Sequence, residues 1–168
     1  MIFGLFAKRS SFDATSANAA LHSLSLGGQR TLHRFDRDRF VGASVAEGGA
    51  TVAPCERGET LVLVAGHPTG APGLASTLAD MQKIDAPPAN ARGSYVFARY
   101  DAGAHRLVLG NDAFGFQPLF LVETDDFVAF CSEYEPLLEL PGVNRDLDPN
   151  AVAEYYVFGL TLDNRTLL

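Results

Sequence analysis

Residues 93–133 read GSYVFARYDAGAHRLVLGNDAFGFQPLFLVETDDFVAFCSE, and this stretch decides the fold class. It contains four runs rich in β-branched and aromatic residues, separated by the turn-forming segments DAGAH, AFGF and TDD. Runs of this kind, spaced about ten residues apart, are typical of antiparallel strands joined by short connections. We therefore predict an antiparallel meander over this region.

The remainder of the chain adds strands and helices around this region. Apolar runs predict further strands over 2–7, 31–36, 40–46 and 59–66, with TVAP at 51–54 a weaker candidate. Helices are predicted over 14–24 (with Asp13 as N-cap and Gly27-Gly28 after its end), over 73–83, and after Asp148, where Pro149 takes the first helical position and Gly159 closes the helix. EPLLEL at 135–140 predicts a helical turn, and HPTGAPG at 67–73 predicts a loop because of its Pro and Gly content. Strand-rich halves flanked by helices predict an α+β domain in which helices cover sheets.

Length and charge exclude several classes of protein. The chain has 168 residues, which fits one domain, and no apolar run approaches the length of about 20 residues that a membrane span needs. The formal net charge of −7 disfavours nucleic-acid binding, which requires basic surface. In HRFDRDRF at 33–40 the arginines alternate with Asp36 and Asp38, so we predict a solvated mixed-charge strand or turn. The opening MIFGLFAKRS does not have the order of a signal peptide, and we expect a cytoplasmic protein without a membrane contact.

The two cysteines predict neither a disulfide framework nor a metal site, because they are widely separated and neither has a CxxC partner. Cys131 lies among apolar residues in FVAFCSEY and is predicted to be a buried core residue. Cys55 follows Pro54 in a loop-like stretch and is predicted to be exposed. No neighbour that would lower a thiol pKa is evident beside either residue.

Four motifs follow one another in the second half of the chain: NDAFGFQPL at 111–119, CSEYEPLL at 131–138, RDLDP at 145–149 and RTL at 165–167. Their order and spacing are those of a known family. With the strand GSYVFARYD before them, they resemble the class II glutamine amidotransferase domain of asparagine synthetases. The resemblance implies an Ntn-hydrolase-like αββα sandwich, with two mainly antiparallel sheets covered by helices. It implies one glutaminase-like domain over residues 1–168, a fragment of a polypeptide whose C-terminal ATP-dependent synthetase domain is not in this chain.

The matched motif residues do not perform glutamine chemistry in that family, so they predict fold rather than activity. Gly115 and Pro118 are predicted to shape a turn, and Phe114 to pack in a core or between domains. We assign structural or interdomain roles to eight residues: Asp112, Phe114, Gly115, Pro118, Ser132, Glu133, Asp148 and Arg165.

The resemblance also implies that the glutamine site is degenerate. The family uses an N-terminal cysteine whose own α-amino group is the base, which requires that cysteine at the mature N-terminus. Here Ile2–Phe6 align with the family's opening strand, which places the position of the nucleophile before Met1, where this sequence has no residue. No Cys, Ser or Thr lies in the first nine residues either, so no catalytic residue is predicted.

The glutamine-binding positions of the family are changed as well. Val45 aligns with the arginine that holds the glutamine carboxylate, and Ala65-Gly66 with the Asn-Gly pair that forms the oxyanion hole. The Gly-Ser-Asp segment expected between positions 66 and 93 is missing. With His67, which we expect to be a loop residue and not a replacement base, these positions form a vestigial glutamine pocket: Val45, Ala65, Gly66 and His67.

Three functions follow as hypotheses. In the first, the domain is an inactive scaffold for an ATP-dependent, amide-forming synthetase domain in cis, and the resemblance points to the branch that contains β-lactam synthetases and lasso-peptide cyclases. That parent would use ATP and Mg²⁺ and act on a peptide or small molecule, whereas this domain would hold no cofactor and no metal. In the second, the vacated pocket binds a peptide or metabolite without chemistry. In the third, the chain is a glutamine-hydrolysing asparagine synthetase with a misassigned start. A homo-oligomer is compatible with each.

Overall fold

The computed structural model describes residues 1–9, 14–25, 30–47, 54–69, 73–80, 90–162 and 165–168. The strands are β1 Ile2–Ala7, β2 Arg30–Arg37, β3 Phe40–Glu47, β4 Cys55–Arg57, β5 Thr60–Thr69, β6 Arg92–Asp101, β7 Arg106–Asn111, β8 Phe120–Glu123 and β9 Phe127–Cys131. The helices are α1 Asn18–Ser25, preceded by a 3-10 turn at Ala14–Ala17, then α2 Leu74–Asp80, α3 Glu135–Leu138 and α4 Pro149–Phe158.

The strands form two antiparallel sheets. The first sheet has the order β2-β3-β1-β9-β8, and the second has the order β4-β5-β6-β7. Three apolar layers follow from the alternation of side chains along each strand: one between the first sheet and α1 and α3, one between the sheets, and one between the second sheet and α2. The predicted α+β architecture of two antiparallel sheets covered by helices is confirmed.

Contacts between the sheets fix how the two sheets lie on each other. The ring of Phe40 at the start of β3 stacks on Tyr100 with centroids 4.7 Å apart, and Tyr100 pairs with Leu61 at the start of β5. Two residues further along β3, an ideal Cβ on Gly42 would lie 3.2 Å from Leu63 Cδ1. The strands β3 and β5 therefore run in the same direction across the interface. The start of the chain, which pairs with the far end of β3, thus lies at the same end of the sandwich as the far half of β5.

The single meander predicted over 93–133 is wrong. β6 and β7 form a hairpin in the second sheet, whereas β8 and β9 form a hairpin in the first sheet. Residues 112–119 carry the chain from one sheet edge to the other. The strand pattern specifies which residues alternate across a sheet but not which sheet accepts the strand, and both hairpins have apolar faces to bury.

The loop predicted for HPTGAPG is wrong in its first half, because β5 continues through His67–Thr69 and pairs with Arg92–Ser94 at the start of β6. Pro68 lies opposite Gly93 of β6, and β4 pairs only with Thr60–Val62, so in the described part of the chain Pro68 stands where the other edge of β5 has no strand partner. A positive φ of 99° at Gly66 allows a close approach of the two chains, since an ideal Cβ there would lie 2.3 Å from the Ser94 carbonyl oxygen.

The predicted ends of the last helix are confirmed. The Asp148 side chain accepts a hydrogen bond from the Asn150 N–H at 2.8 Å, Pro149 follows it, and Gly159 adopts the left-handed conformation with φ 73°. The other predicted cap residues, Asp13 and Gly27-Gly28, lie outside the described residues, as do TVA at 51–53 and Met81.

The prediction of a mixed-charge strand or turn over 33–40 is also confirmed. Arg34 pairs with Asp36 along β2, and Arg37 donates to Glu56 of β4 at 2.7 Å, linking the edges of the two sheets. No helix in the described part of the chain is long and apolar enough to cross a membrane.

Candidate functional site

The first two residues are fixed between β3 and β9. The Met1 amine donates to the Val45 carbonyl at 3.0 Å, and the Val45 N–H donates to the Met1 carbonyl at 2.9 Å. On the other side, the Ile2 N–H donates to Ser132 Oγ at 3.2 Å, and the Ser132 N–H donates to the Ile2 carbonyl at 3.1 Å. The position of the chain start is therefore determined from both neighbouring strands.

Val45 lies beside this chain start, but its side chain is part of the core between the first sheet and the helices. It is 1% exposed and belongs to the same buried cluster as Leu21, Leu24 and Leu137. The alternation along β3 places Ser44 on the other face, toward the second sheet. A cation that binds a substrate carboxylate needs access to that substrate, and the Val45 position is enclosed by apolar side chains.

Ala65, Gly66 and His67 lie near this end of the sandwich on β5. Ala65 is 2% exposed and packs between the sheets, Gly66 is half-buried, and His67 is exposed. Ala65 and Gly66 offer no side-chain donor, so any oxyanion contact at these two positions comes from their backbone N–H groups. The structure thus places three of the four predicted pocket residues in the second half of β5, with the Val45 side chain in the helix-side core.

Asp112 organises the segment that crosses between the sheets. Its Oδ1 accepts from the N–H groups of Phe114 at 3.0 Å and Phe116 at 3.3 Å, and its Oδ2 accepts from those of Tyr95 and Gln117, both at 3.3 Å. Burial acts to raise the pKa of this carboxyl, but the four backbone N–H groups outweigh it and hold the pKa below its ordinary value. Asp112 is therefore a charged residue whose partners, among the described residues, are all backbone donors.

The remaining motif residues surround this segment and the last helix. Gly115 has a φ of 65° and donates to the Asp112 carbonyl at 3.1 Å, which closes the turn. The Glu133 N–H donates to Cys131 Sγ at 3.4 Å. The Arg165 guanidinium pairs with Glu154 of α4, whose second oxygen accepts from the Leu162 N–H at 3.0 Å. The pairing of Asp112 with Tyr95 and of Arg165 with Glu154 joins residues distant in sequence, and nothing in the local pattern indicated either.

A groove of about 1250 Å³ lies between β8, α3 and the C-terminal residues. Most of its lining is aliphatic or aromatic, and the chain segment 165–168 forms part of its wall. Phe114 and Phe116, with exposed fractions of 83% and 73%, flank the groove residue Gly115, and their rings are 5.6 Å apart. Pro118 lines the groove itself.

Cys131 does not have the environment of a nucleophile. Burial raises the pKa of the Cys131 thiol to about 12, so this thiol stays protonated at neutral pH. Cys55 was predicted to be exposed, but it is half-buried because β4 begins at this residue and pairs it with Val62. Within the described residues, no three His, Cys, Asp or Glu side chains come together in a way that could hold a metal ion.

Comparisons with known proteins find matches to the second half of the chain. The glutamine amidotransferase domain family matches residues 85–168, half of the chain. A protein of Methanocaldococcus jannaschii, named provisionally as a glutamine-hydrolysing asparagine synthetase, is 37% identical over 79 residues, which cover 39% of this chain. The matched part spans only 15% of the length of that relative. The chain therefore belongs to the class II glutamine amidotransferase domain family represented in asparagine synthetases.

Proposed function

We propose that this domain does not hydrolyse glutamine and serves as the scaffold for an ATP-dependent synthetase domain in the same polypeptide. The observation that carries the first part is the burial of Val45. In place of a cation that could hold the glutamine carboxylate, the chain has a valine enclosed in the helix-side core at 1% exposure. A carboxylate without such a partner is bound weakly and without a fixed orientation, which removes the positioning on which catalysis depends.

The residues around the former oxyanion hole support the same proposal. Ala65 provides no side-chain amide donor, and loss of one oxyanion donor slows acyl-transfer chemistry by about 100-fold or more. The Cys131 thiol, with a pKa of about 12, does not replace the nucleophile. His67 is exposed on β5. Neither of the two cysteines lies opposite it on the paired strand β6.

The second part of the proposal concerns the whole protein. The relative from M. jannaschii is far longer than the matched segment, so a synthetase domain following this domain is the arrangement we favour. That domain would use ATP and Mg²⁺ to activate a carboxylate for attack by an amine, in the cytoplasm, on a peptide or a small molecule of the macrolactam or β-lactam-forming kind. The groove described above does not suit the nucleotide, because apolar side chains dominate its lining and it contains no pair of carboxylates to hold Mg²⁺.

A second candidate is an active glutaminase domain. The name of the M. jannaschii relative describes glutamine hydrolysis, and Gly66 keeps a left-handed backbone conformation near the chain start. In that case a cysteine at the mature N-terminus would supply the nucleophile and its amine the base.

Glutamate release from glutamine tests the two candidates. The protein is purified, its N-terminus is determined, and glutamate is measured at millimolar glutamine, with an active class II glutaminase as positive control. A variant with one cysteine added directly before Met1, processed so that this cysteine is the first residue, is measured beside it. We expect no release above buffer from either protein, because Val45 and Ala65 remain. Release by the variant alone would support the second candidate, and release by both would overturn the proposal.

A further inference from the structure

Two contacts between the sheets show that their strand orders run side by side. β3 lies over β5, where Gly42 approaches Leu63, and β1 lies over β6, where the rings of Phe6 and Tyr100 are 5.9 Å apart. The first sheet continues from β1 to β9 and β8, whereas the second continues from β6 to β7 and ends there. β7 and β8 are therefore the edge strands on the same side of the sandwich, and the first sheet extends one strand further.

The exposure of Leu121 shows the effect of this difference. Leu121 of β8 lies opposite Phe130 of β9, so the two side chains share the face that points toward the second sheet. Phe130 is completely buried, whereas Leu121 is 57% exposed. Cover from the second sheet therefore ends beneath β9. The apolar inner face of β8 lies over a space that no strand in the described part of the chain occupies.

The backbone of β7 borders this space. Among the described strands it pairs only with β6. The Asp112 N–H, directly after β7, donates to the Tyr95 carbonyl of β6 at 2.8 Å. Hydrogen-bonding directions alternate along a strand, so the N–H and C=O groups of Leu107, Leu109 and Asn111 point away from β6. These groups form a row of donors and acceptors that is directed into the space under β8.

β7 also lacks the features that protect an edge strand from further pairing. Such features are short length, charge and proline. β4 has three residues and β8 has four, and β2 carries the exposed charges of Arg34 and Asp36. β7 has six residues, RLVLGN, and its one charged residue, Arg106, is the first of them. Of the edge strands in the described sheets, β7 is the one whose backbone is suited to accept another strand.

We propose that β7 binds an extended peptide, which adds a fifth strand to the second sheet beneath β8. The peptide backbone pairs with Leu107, Leu109 and Asn111, and alternate side chains on one of its faces cover Leu121. The peptide is therefore apolar at alternate positions and uncharged at its centre, as β7 is. This inference goes beyond the proposed function and does not depend on the state of the glutamine site.

The geometry favours a peptide over a second copy of this chain. Because the first sheet extends beyond β7, a second copy that paired its β7 with this one would bring its own β8 against β8 here. A single strand occupies about 4.8 Å of sheet width, which is the width by which the first sheet extends further. Each copy would also carry a formal net charge of −7, which opposes association.

Selection from a phage-displayed library of random octapeptides on the 168-residue chain tests this site. We expect enrichment of peptides with apolar residues at alternate positions. An enriched peptide is then synthesised, and its affinity is measured by fluorescence anisotropy. Leu109→Pro removes an N–H that points away from β6 and should weaken binding about tenfold or more, the equivalent of one backbone hydrogen bond. Leu109→Ala loses more of the same packing but keeps the N–H, and is the matched control that should retain binding.

Two further measurements make the test independent of how well Leu109→Pro folds. Leu121→Ser, at an exposed position, should weaken binding, whereas Asp125→Ser in the following turn should not. In the wild type, saturating peptide should slow amide hydrogen exchange at Leu107 and Leu109 by about tenfold or more, with a smaller change at Val108, whose N–H points to β6.

Three outcomes would overturn the strand-addition proposal. The library may yield no peptide enriched over an unrelated protein. Enriched peptides may bind Leu121→Ser as tightly as the wild type and leave the exchange at Leu107 and Leu109 unchanged, which places their site elsewhere. A dimer of the 168-residue chain that Leu109→Pro dissociates would assign the β7 edge to a second copy. Glutamate release tests the inactive-glutaminase proposal separately, because turnover would overturn that proposal and leave peptide binding at β7 unaffected.

Discussion

Tyr95 and Asp112 are joined by two hydrogen bonds: the Asp112 N–H donates to the Tyr95 carbonyl at 2.8 Å, and the Tyr95 N–H donates to Asp112 Oδ2 at 3.3 Å. The same carboxylate accepts from the turn at 114–117. One side chain therefore connects a central strand of the second sheet to the segment that crosses to the first sheet. The motif that identifies the family is, in this structure, an arrangement that sets the position of the crossing segment.

Replacing Asp112 by Asn tests this role. The amide keeps one acceptor oxygen, but its NH₂ group faces backbone donors, so buried N–H groups lose their partners. We expect a loss of about 2–4 kcal/mol in the free energy of unfolding, since each unsatisfied buried donor costs about 1–3 kcal/mol. Urea unfolding measures the change. Asp125→Asn, at an exposed position, is the matched control and should change stability by less than about 0.5 kcal/mol. Equal effects of the two substitutions would contradict the assignment.

Acid unfolding provides an independent test of the Asp112 charge. Its folded-state pKa is lowered, so the group contributes stability above the unfolded pKa of about 3.9 and loses that contribution as pH falls through the folded value. The difference in unfolding free energy between the wild type and Asp112→Asn should therefore narrow as the pH is lowered below about 4. Urea midpoints between pH 6 and pH 2.5 measure it. A difference that stays constant over this range would show that the carboxylate charge contributes nothing.

The sequence predicted most of the strands and the complete last helix, because both depend on local chemistry. Asp148, Pro149 and Gly159 act within a few residues of the helix ends they define, and the structure has the helix between them. The sheet assignment of the two hairpins could not be predicted, since strands with two apolar faces are compatible with either sheet. The sequence of β3 is ambiguous in a similar way. Val45 and Ser44 lie on opposite faces of this strand, and only its register with β1 and β2 decides which of the two faces the helices.

The buried hydroxyl of Tyr100 predicts a stabilising substitution. The ring stacks on Phe40, but the hydroxyl forms no well-aligned hydrogen bond within the described part of the chain. Burial raises its pKa, and the nearby Arg39 backbone offsets this only in part. We expect Tyr100→Phe to increase the unfolding free energy by about 1 kcal/mol or less, because the buried hydroxyl that is removed has no well-aligned hydrogen bond. Tyr100→Leu, which loses the stacked ring, should destabilise the protein. A thermal unfolding series distinguishes them, and a loss of stability in Tyr100→Phe would reveal a partner for the hydroxyl.

Thiol labelling tests whether Cys131 is inert. With a pKa of about 12 and no exposed surface, its thiol should not react with iodoacetamide at pH 8 in the folded protein. Cys55 is half-buried and should react at least tenfold faster. Mass spectrometry of the wild type and of Cys55→Ser measures both sites, and labelling in urea confirms that Cys131 reacts once the protein is unfolded. Rapid labelling of Cys131 in folded Cys55→Ser would reopen its candidacy as a nucleophile.

Substitution of Val45 by Arg asks whether the carboxylate-binding cation of the family can be restored. The side chain at this position is enclosed by the apolar layer under α1 and α3, so the guanidinium would be buried without a partner. We expect a loss of about 3 kcal/mol or more in unfolding free energy, because an unpaired charge is driven into the core. Thr31→Arg, at an exposed position on β2, is the control and should change stability little. A Val45→Arg variant that keeps wild-type stability and binds glutamine in calorimetry would show that the position faces the pocket, and the main support for the inactive-domain proposal would be lost.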